Sequence, residues 1–226
     1  FKTPNDESDK DAEVLYSADG STEGILFSQW LHGATASKLK ADVSVRFSKK
    51  KTRFGKFTDY VFDDPARNLK SEDKVLLEGR LDEEGYLRFN KALKVVVGKA
   101  PGMLSARFTT RVFEESVAFS ISRSSIDYHP YENYVGIKLP KGDATRGMLL
   151  TDKKHTVNIA SMSAKGEEVS LEKVQVSLYK IRWKWWWDKS PDSLAEYADS
   201  QHKHLLQKDI VSTVNGSGEW NFEVKY

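Results

Sequence analysis

"VQVSLYKIRWKWWWD", residues 174–188, is the stretch on which the fold turns. Val174, Val176 and Leu178 alternate with Gln175 and Ser177, the period-two pattern of a strand covered on one face. From Tyr179 the parity flips: Tyr179, Ile181, Trp183, Trp185 and Trp187 now alternate with Lys180, Arg182 and Lys184. A one-residue slip exchanges the two faces of a strand. The pattern therefore predicts one long strand with a bulge, or a change of neighbouring layer, at Leu178–Tyr179. Trp186 breaks the charged row and points opposite its neighbours. Four of the six tryptophans fall within residues 183–187, so Tyr179, Trp183, Trp185, Trp186 and Trp187 form a candidate structural aromatic cluster. Three readings are open, in this order. The rings cover the open end of a sandwich, with Lys and Arg outside and stacked on them; they make a domain–domain contact; or they form a platform for sugars or peptides. A membrane belt is poorer, because no flanking span exists.

The same alternation recurs outward from this strand. In "KADVSVRF" (40–47), Ala41, Val43, Val45 and Phe47 share one side, and Lys40, Asp42, Ser44 and Arg46 the other. "MLSARFTTRVF" (103–113) alternates in the same way, and 23–31, 74–81, 86–93, 117–122, 155–162 and 219–226 read similarly. Asp19-Gly20, Glu84-Gly85, Pro101-Gly102, Lys141-Gly142 and Asn215-Gly216 mark turns between them. Asn215-Gly216 is a preferred hairpin turn, since both central residues must take positive φ. Ser193-Leu194-Ala195-Glu196 fits a capping box, which predicts one short helix over 192–200.

Closely spaced strands of this kind predict an all-β chain of antiparallel β-sandwiches. The polar stretch "SRSSIDYHPYENY" (122–134) marks the boundary, giving one sandwich over 1–124 and a second over 125–226. The chain starts without Met and ends on a strand pattern. It reads as a piece of a longer protein whose second sandwich is truncated at its C-terminal end.

Composition narrows the function classes. The 226 residues are 39% hydrophobic and 12% aromatic, enough for a real core. Charged residues make up 30% but nearly cancel, at +2, which argues against a general nucleic-acid or membrane-surface binder. There is no cysteine, so disulfides, thiolate metal sites and a cysteine nucleophile are excluded within this sequence. No apolar run approaches the roughly 20 residues that span a bilayer.

Candidate chemistry is sparse. Of His32, His129, His155, His202 and His204, only the last two are close enough to share a metal, and no third ligand lies near them. "GDATRGML" (142–149) has the spacing of a phosphate loop, but Met148 and Leu149 stand where Lys and Ser/Thr are needed, so it reads as a plain loop. The basic run "SKKKTRFGK" (48–56) reads as a solvated hairpin loop, its charge offset by "DDPAR" (63–67). Asn215-Gly216-Ser217 matches a glycosylation sequon that the hairpin turn already explains. No nucleophile elbow or serine–histidine pair is present. The residues point to a non-enzyme without cofactor, catalytic residues or metal site.

"VSLYKIRWKWWWDKS" (176–190) resembles a strand of the bacterial alpha-2-macroglobulin family, through Leu178, Tyr179, Trp183, Trp185, Trp186, Trp187 and Asp188. "YVGIKL" (134–139) is similar to the start of the same domain in that family. "WLHGATASKLKADVSVRF" (30–47) looks like its Tyr-x-x-Gly-Ala-x-Ala-x-x-Leu strand–loop–strand, with Trp30 and His32 at aromatic positions and Thr35 where Pro is common. The resemblance covers nearly the whole chain. It implies two macroglobulin-like, immunoglobulin-like sandwiches, the fifth and sixth of the bacterial series, ahead of or around the protease-sensitive bait segment. It further implies a parent that is a broad-spectrum protease inhibitor: cut in its bait, it changes shape and entraps or tethers the protease. Such a parent is periplasmic or envelope-associated, and meets the membrane only through a lipid anchor outside these residues. The family's thioester joins a Cys to a Gln, and with no cysteine here that hook lies elsewhere. The expected role is framework, with partners that are other domains of the parent and, through it, proteases. The alternative from the residues is a sandwich module, glycan-binding or adhesin, of an envelope protein using exposed Trp.

Overall fold

The structure is a computed structural model that describes residues 15–16, 22–91, 93, 99–114, 118–181 and 203–225. Among these the regular structure is β-strand apart from one 3-10 turn, Gly55–Phe57. The all-β expectation is met. The short helix expected over 192–200 lies outside the described residues, as do Asp19-Gly20 and the strand continuation past Ile181.

The chain forms two compact units, and neither is a continuous stretch. One comprises Phe1–Lys50 and Leu69–Pro130; the other comprises Lys51–Asn68 and Tyr131–Tyr226. The polar stretch 122–134 is strand as far as His129, and the division between units falls after Pro130.

The first unit holds β1 (Leu15–Tyr16), β2 (Thr22–Phe27), β3 (Lys40–Lys49), β4 (Asp73–Arg80), β5 (Tyr86–Lys91), β6 (Leu104–Phe113) and β7 (Phe119–His129). A five-stranded sheet runs β1-β7-β6-β3-β4, and β2 and β5 pair as a second sheet. All pairings are antiparallel except β1 with β7. The alternation of β3 appears as written: Ala41, Val43, Val45 and Phe47 are all buried. Of these, Ala41 and Val43 join Leu26, Ala36, Leu81 and Val112 in the inter-sheet core, flanked by Leu76, Leu77, Leu87, Phe89 and Phe108. At the other end Phe47 packs on Tyr128, ring centroids 5.0 Å apart, and the Tyr128 hydroxyl donates to the Leu93 carbonyl at 2.7 Å. The opposite parity of β3 is not wholly solvated. Asp42 is buried, gripped by the Arg111 guanidinium through Nε (2.9 Å) and a terminal nitrogen (2.8 Å). The fork geometry is what makes a desolvated carboxylate tolerable there.

The second unit holds β8 (Asn133–Lys138), β9 (Lys154–Ser163), β10 (Leu171–Ile181), β11 (Lys203–Thr213) and β12 (Ser217–Glu223). A three-stranded antiparallel sheet runs β12-β9-β8, and β10 and β11 make a two-stranded one. Because successive side chains of a strand point to opposite faces, β9 serves two cores. Val157 and Ile159 join Val174, Trp220 and Phe222, where the β10–β11 sheet packs. Ala160 and Met162 join Tyr134, Phe54 and Phe62 on the other face. Phe54 and Phe62 come from the chain between β3 and β4, so the first half of the sequence supplies one layer of the second unit.

Two details tie the second unit's layers together. Ser161 and Thr213 are buried hydroxyls whose protons have one consistent assignment: the Leu171 N–H donates to Thr213 Oγ1 (3.0 Å), Thr213 donates to Ser161 Oγ (2.7 Å), and Ser161 donates to the Val169 carbonyl (2.6 Å). Among the described residues no buried side-chain nitrogen or oxygen lacks a hydrogen-bond partner. The β11–β12 hairpin closes at Asn215 (φ 49) and Gly216 (φ 77), with reciprocal Val214 and Ser217 backbone bonds. This is the two-residue turn expected from Asn-Gly.

Candidate functional site

The aromatic strand comes first because the tryptophan motif dominates the sequence. After an irregularity between Leu171 and Val174, β10 and β11 pair regularly from Val174 opposite Val211 to Leu178 opposite Gln207; the next pair is Tyr179 opposite Leu205, so Leu206 is an extra residue on β11. The irregularity falls at Leu178–Tyr179, where the parity flip put it. The extra residue sits on β11, and β10 itself keeps its alternation across this point: Leu178 packs with the inter-sheet core, whereas Tyr179 stands on the other parity and is 46% exposed. Trp183, Trp185, Trp186 and Trp187 lie outside the described residues.

The described histidines are scattered, and His202 lies outside the described residues. His32 stacks on Trp30 (6.4 Å, 12°), and His129 stacks on Tyr16 (5.5 Å). The His155 Nε2 lies 2.7 Å from the Leu150 carbonyl, and His204 is exposed opposite Lys180. Among the described residues no group of three His, Cys, Asp or Glu is placed to hold a metal. Burial pushes the His129 imidazole below its usual range; Lys50 adds to this and Asp127 opposes it. The Asp209 carboxylate is held below its usual range by hydrogen bonds from Trp220 Nε1 (2.7 Å) and then Gln207 (2.6 Å). Both groups are explained by local packing. The 142–149 segment is a loop closed by Asp143, which accepts from the Thr145 and Arg146 amides.

The basic run 48–56 requires a correction. It is not a solvated hairpin loop from end to end. Lys51 and Arg53 face water, but Thr52 and Phe54 are buried. Phe54, Phe57, Tyr60 and Phe62 gather with Tyr131 and Tyr134 into an aromatic cluster over Ala160 and Met162. Phe54 meets Phe62 edge-on at 4.8 Å and Tyr134 at 5.7 Å, separations at which ring quadrupoles attract. Val61 adds a rung to β8: its N–H donates to the Ile137 carbonyl (2.9 Å), and the Ile137 N–H donates back (3.0 Å). Asp63 closes the neck of the excursion by accepting from the Thr52 hydroxyl (2.6 Å) and amide (3.1 Å). Outside the rings Lys56 pairs with Glu168 (3.0 Å) and Lys138 with Asp59 (3.1 Å), and Arg67 donates to the Tyr131 hydroxyl (2.8 Å). A signal for this was present. Lys51-Thr52-Arg53-Phe54 alternates like a half-buried strand, and four aromatics within 54–62 are too many for a loop in water.

Comparison with known proteins fits this geometry. The family profile for the bacterial alpha-2-macroglobulin MG5 domain matches residues 9–125, more than half of the chain, and that for bacterial macroglobulin domain 6 matches residues 136–226. The chain belongs to the bacterial alpha-2-macroglobulin family. Similar solved structures include the native conformation of Escherichia coli alpha-2-macroglobulin, at TM-score 0.59 and 15% identity, over 95% of this chain and 14% of that one. The trypsin-activated E. coli protein matches at TM-score 0.59 and 14% identity, over 94% of this chain and 14% of that one. The elastase-activated E. coli protein matches at TM-score 0.54 and 15% identity, over 95% and 19%. At such identities the likeness carries the fold. A comparison with curated proteins found no match. These macroglobulin domains thus span about a seventh of the first two alpha-2-macroglobulins they resemble.

Proposed function

We propose that the chain is a framework pair, macroglobulin domains five and six, of a broad-spectrum protease inhibitor. The parent is cut in a bait segment, changes shape, and entraps or tethers its attacker. The observation that carries this reading is the order of the two matches: MG5 over 9–125 followed directly by domain 6 over 136–226. The pair performs no chemistry of its own. It holds neighbouring domains and passes on their displacement, the rigid-body mode of switching. Its partners are the parent's other domains and, through the parent, proteases. The parent resides in the periplasm or cell envelope, held by a lipid anchor where it has one. The aromatic cluster Tyr179, Trp183, Trp185, Trp186 and Trp187 serves packing in this reading and recognises no ligand.

The test is to incubate the purified parent with trypsin and follow cleavage of a large protein substrate beside a small chromogenic peptide. Entrapment suppresses the first and spares the second. Undiminished cleavage of the large substrate, with the parent in molar excess, sinks the proposal.

A further inference from the structure

The face of β8 and β9 that carries Tyr134, Gly136, Ala160 and Met162 is covered by residues that precede it by a whole domain in sequence. We infer that this face is a docking surface for the aromatic segment 51–68, and that the segment is a coupling element without which the second domain does not hold its fold. The inference stands apart from the inhibitor reading, because it concerns only these two domains.

Three independent features carry it. The surface is shaped for its occupant: a Cβ built on Gly136 would lie 2.6–2.7 Å from three atoms of the Phe62 ring. Real Cβ atoms do not approach so closely, so the ring is seated in the space that glycine leaves. The occupant continues the sheet, since Val61 and Ile137 exchange both backbone hydrogen bonds at β8. Strand addition at an edge is a recurrent recognition mode in which the ladder gives affinity and side-chain pockets give specificity. Finally, the charges around it are matched, Lys56 with Glu168 and Asp59 with Lys138.

The chain trace adds the consequence. Both ends of the segment are fixed in the first domain: the Lys50 N–H donates to the Met103 carbonyl (3.1 Å), and the Ser71 hydroxyl donates to the Phe47 carbonyl (2.6 Å). The backbone therefore passes between the domains three times, after Lys50, after Asn68 and after Pro130. A single linker leaves two domains free to swivel, the usual case for modules joined in series. Here three connections join the two units, after the end of β3, ahead of β4 and after the end of β7.

The experiment uses the whole chain and hydrogen exchange read by mass spectrometry. Phe62→Ala is expected to speed exchange of the β8 and β9 amides by at least about tenfold, while the β6 and β7 amides change by less than about threefold. Gly136→Ala should do the same. In the Phe62→Ala background, Gly136→Ala should add little, because the ring it displaces is gone. Replacing 51–68 with a Gly/Ser linker of equal length should abolish protection in β8 and β9. If that variant fails to fold at all, Phe62→Ala and the double variant decide. A protease site inserted after Pro130 provides a second readout: after cleavage the two pieces should co-elute, and Phe54→Ala with Phe62→Ala should separate them. Unchanged β8–β9 protection in Phe62→Ala, additive penalties in the double variant, or pieces that part with the native segment in place would each overturn the inference.

Discussion

At the scale of single residues, Thr213 does more than fill space. It accepts from the Leu171 amide and donates to Ser161, so the near-isosteric Thr213→Val removes a donor and strands a partly buried N–H. The expected cost is about 1–3 kcal/mol, read as a lower urea midpoint for the second unit. An unchanged midpoint would mean that water replaces the hydroxyl. His129 supplies a pH dependence. Its folded pKa is depressed, chiefly by burial, so the unfolded chain binds the proton more readily. The associated stability is fully present above about pH 6.5, the free imidazole value, and is lost as pH falls through the lower folded value. His129→Gln should flatten that part of the stability profile in urea titrations across this range; a profile that keeps its slope would assign the titration elsewhere.

At the scale of elements, the β11–β12 hairpin depends on its turn. Gly216 takes φ 77, and a Cβ there would lie 2.7 Å from Glu168 Cγ. Gly216→Ala is expected to cost about 1–3 kcal/mol, lowering the thermal midpoint. Here local chemistry was legible in the sequence, because an Asn-Gly turn is decided by its own two residues. The position of the irregularity at Leu178–Tyr179 was legible from the break in period-two patterning, but its form was not: the extra residue, Leu206, lies on the partner strand β11. Two other elements were not. Residues 122–129 look like a linker because this part of β7 is little buried and its exposed side chains, Arg123, Ser124 and Ser125, are polar; only Tyr128 and His129 at its end are buried. Segment 51–68 carried a local signal of burial in its alternation and aromatics, but its cations, which do face water, masked it, and which surface it covers, in β8 and β9, no local pattern could tell. The tryptophans that named the family sit outside the described residues, while the aromatic cluster that the structure does show is a different one.

At the scale of the whole molecule, the two units should not melt as strangers. Leu104 is fully buried in the first unit, and Leu104→Ala should cost about 2–5 kcal/mol there. Because β3 and β4 hold both ends of segment 51–68, loosening the first unit frees those ends and should also raise exchange in β8 and β9. Exchange confined to the first unit would show that the units are thermodynamically independent. The order of synthesis makes the same insertion a problem of timing. Phe54, Phe57, Tyr60 and Phe62 leave the ribosome well before β9, the strand that carries Ala160 and Met162. At roughly 5–20 residues per second, those rings wait on the order of ten seconds with no surface to cover them. Until β8 and β9 arrive, the apolar rings of the segment are the part of the first half most exposed to self-association.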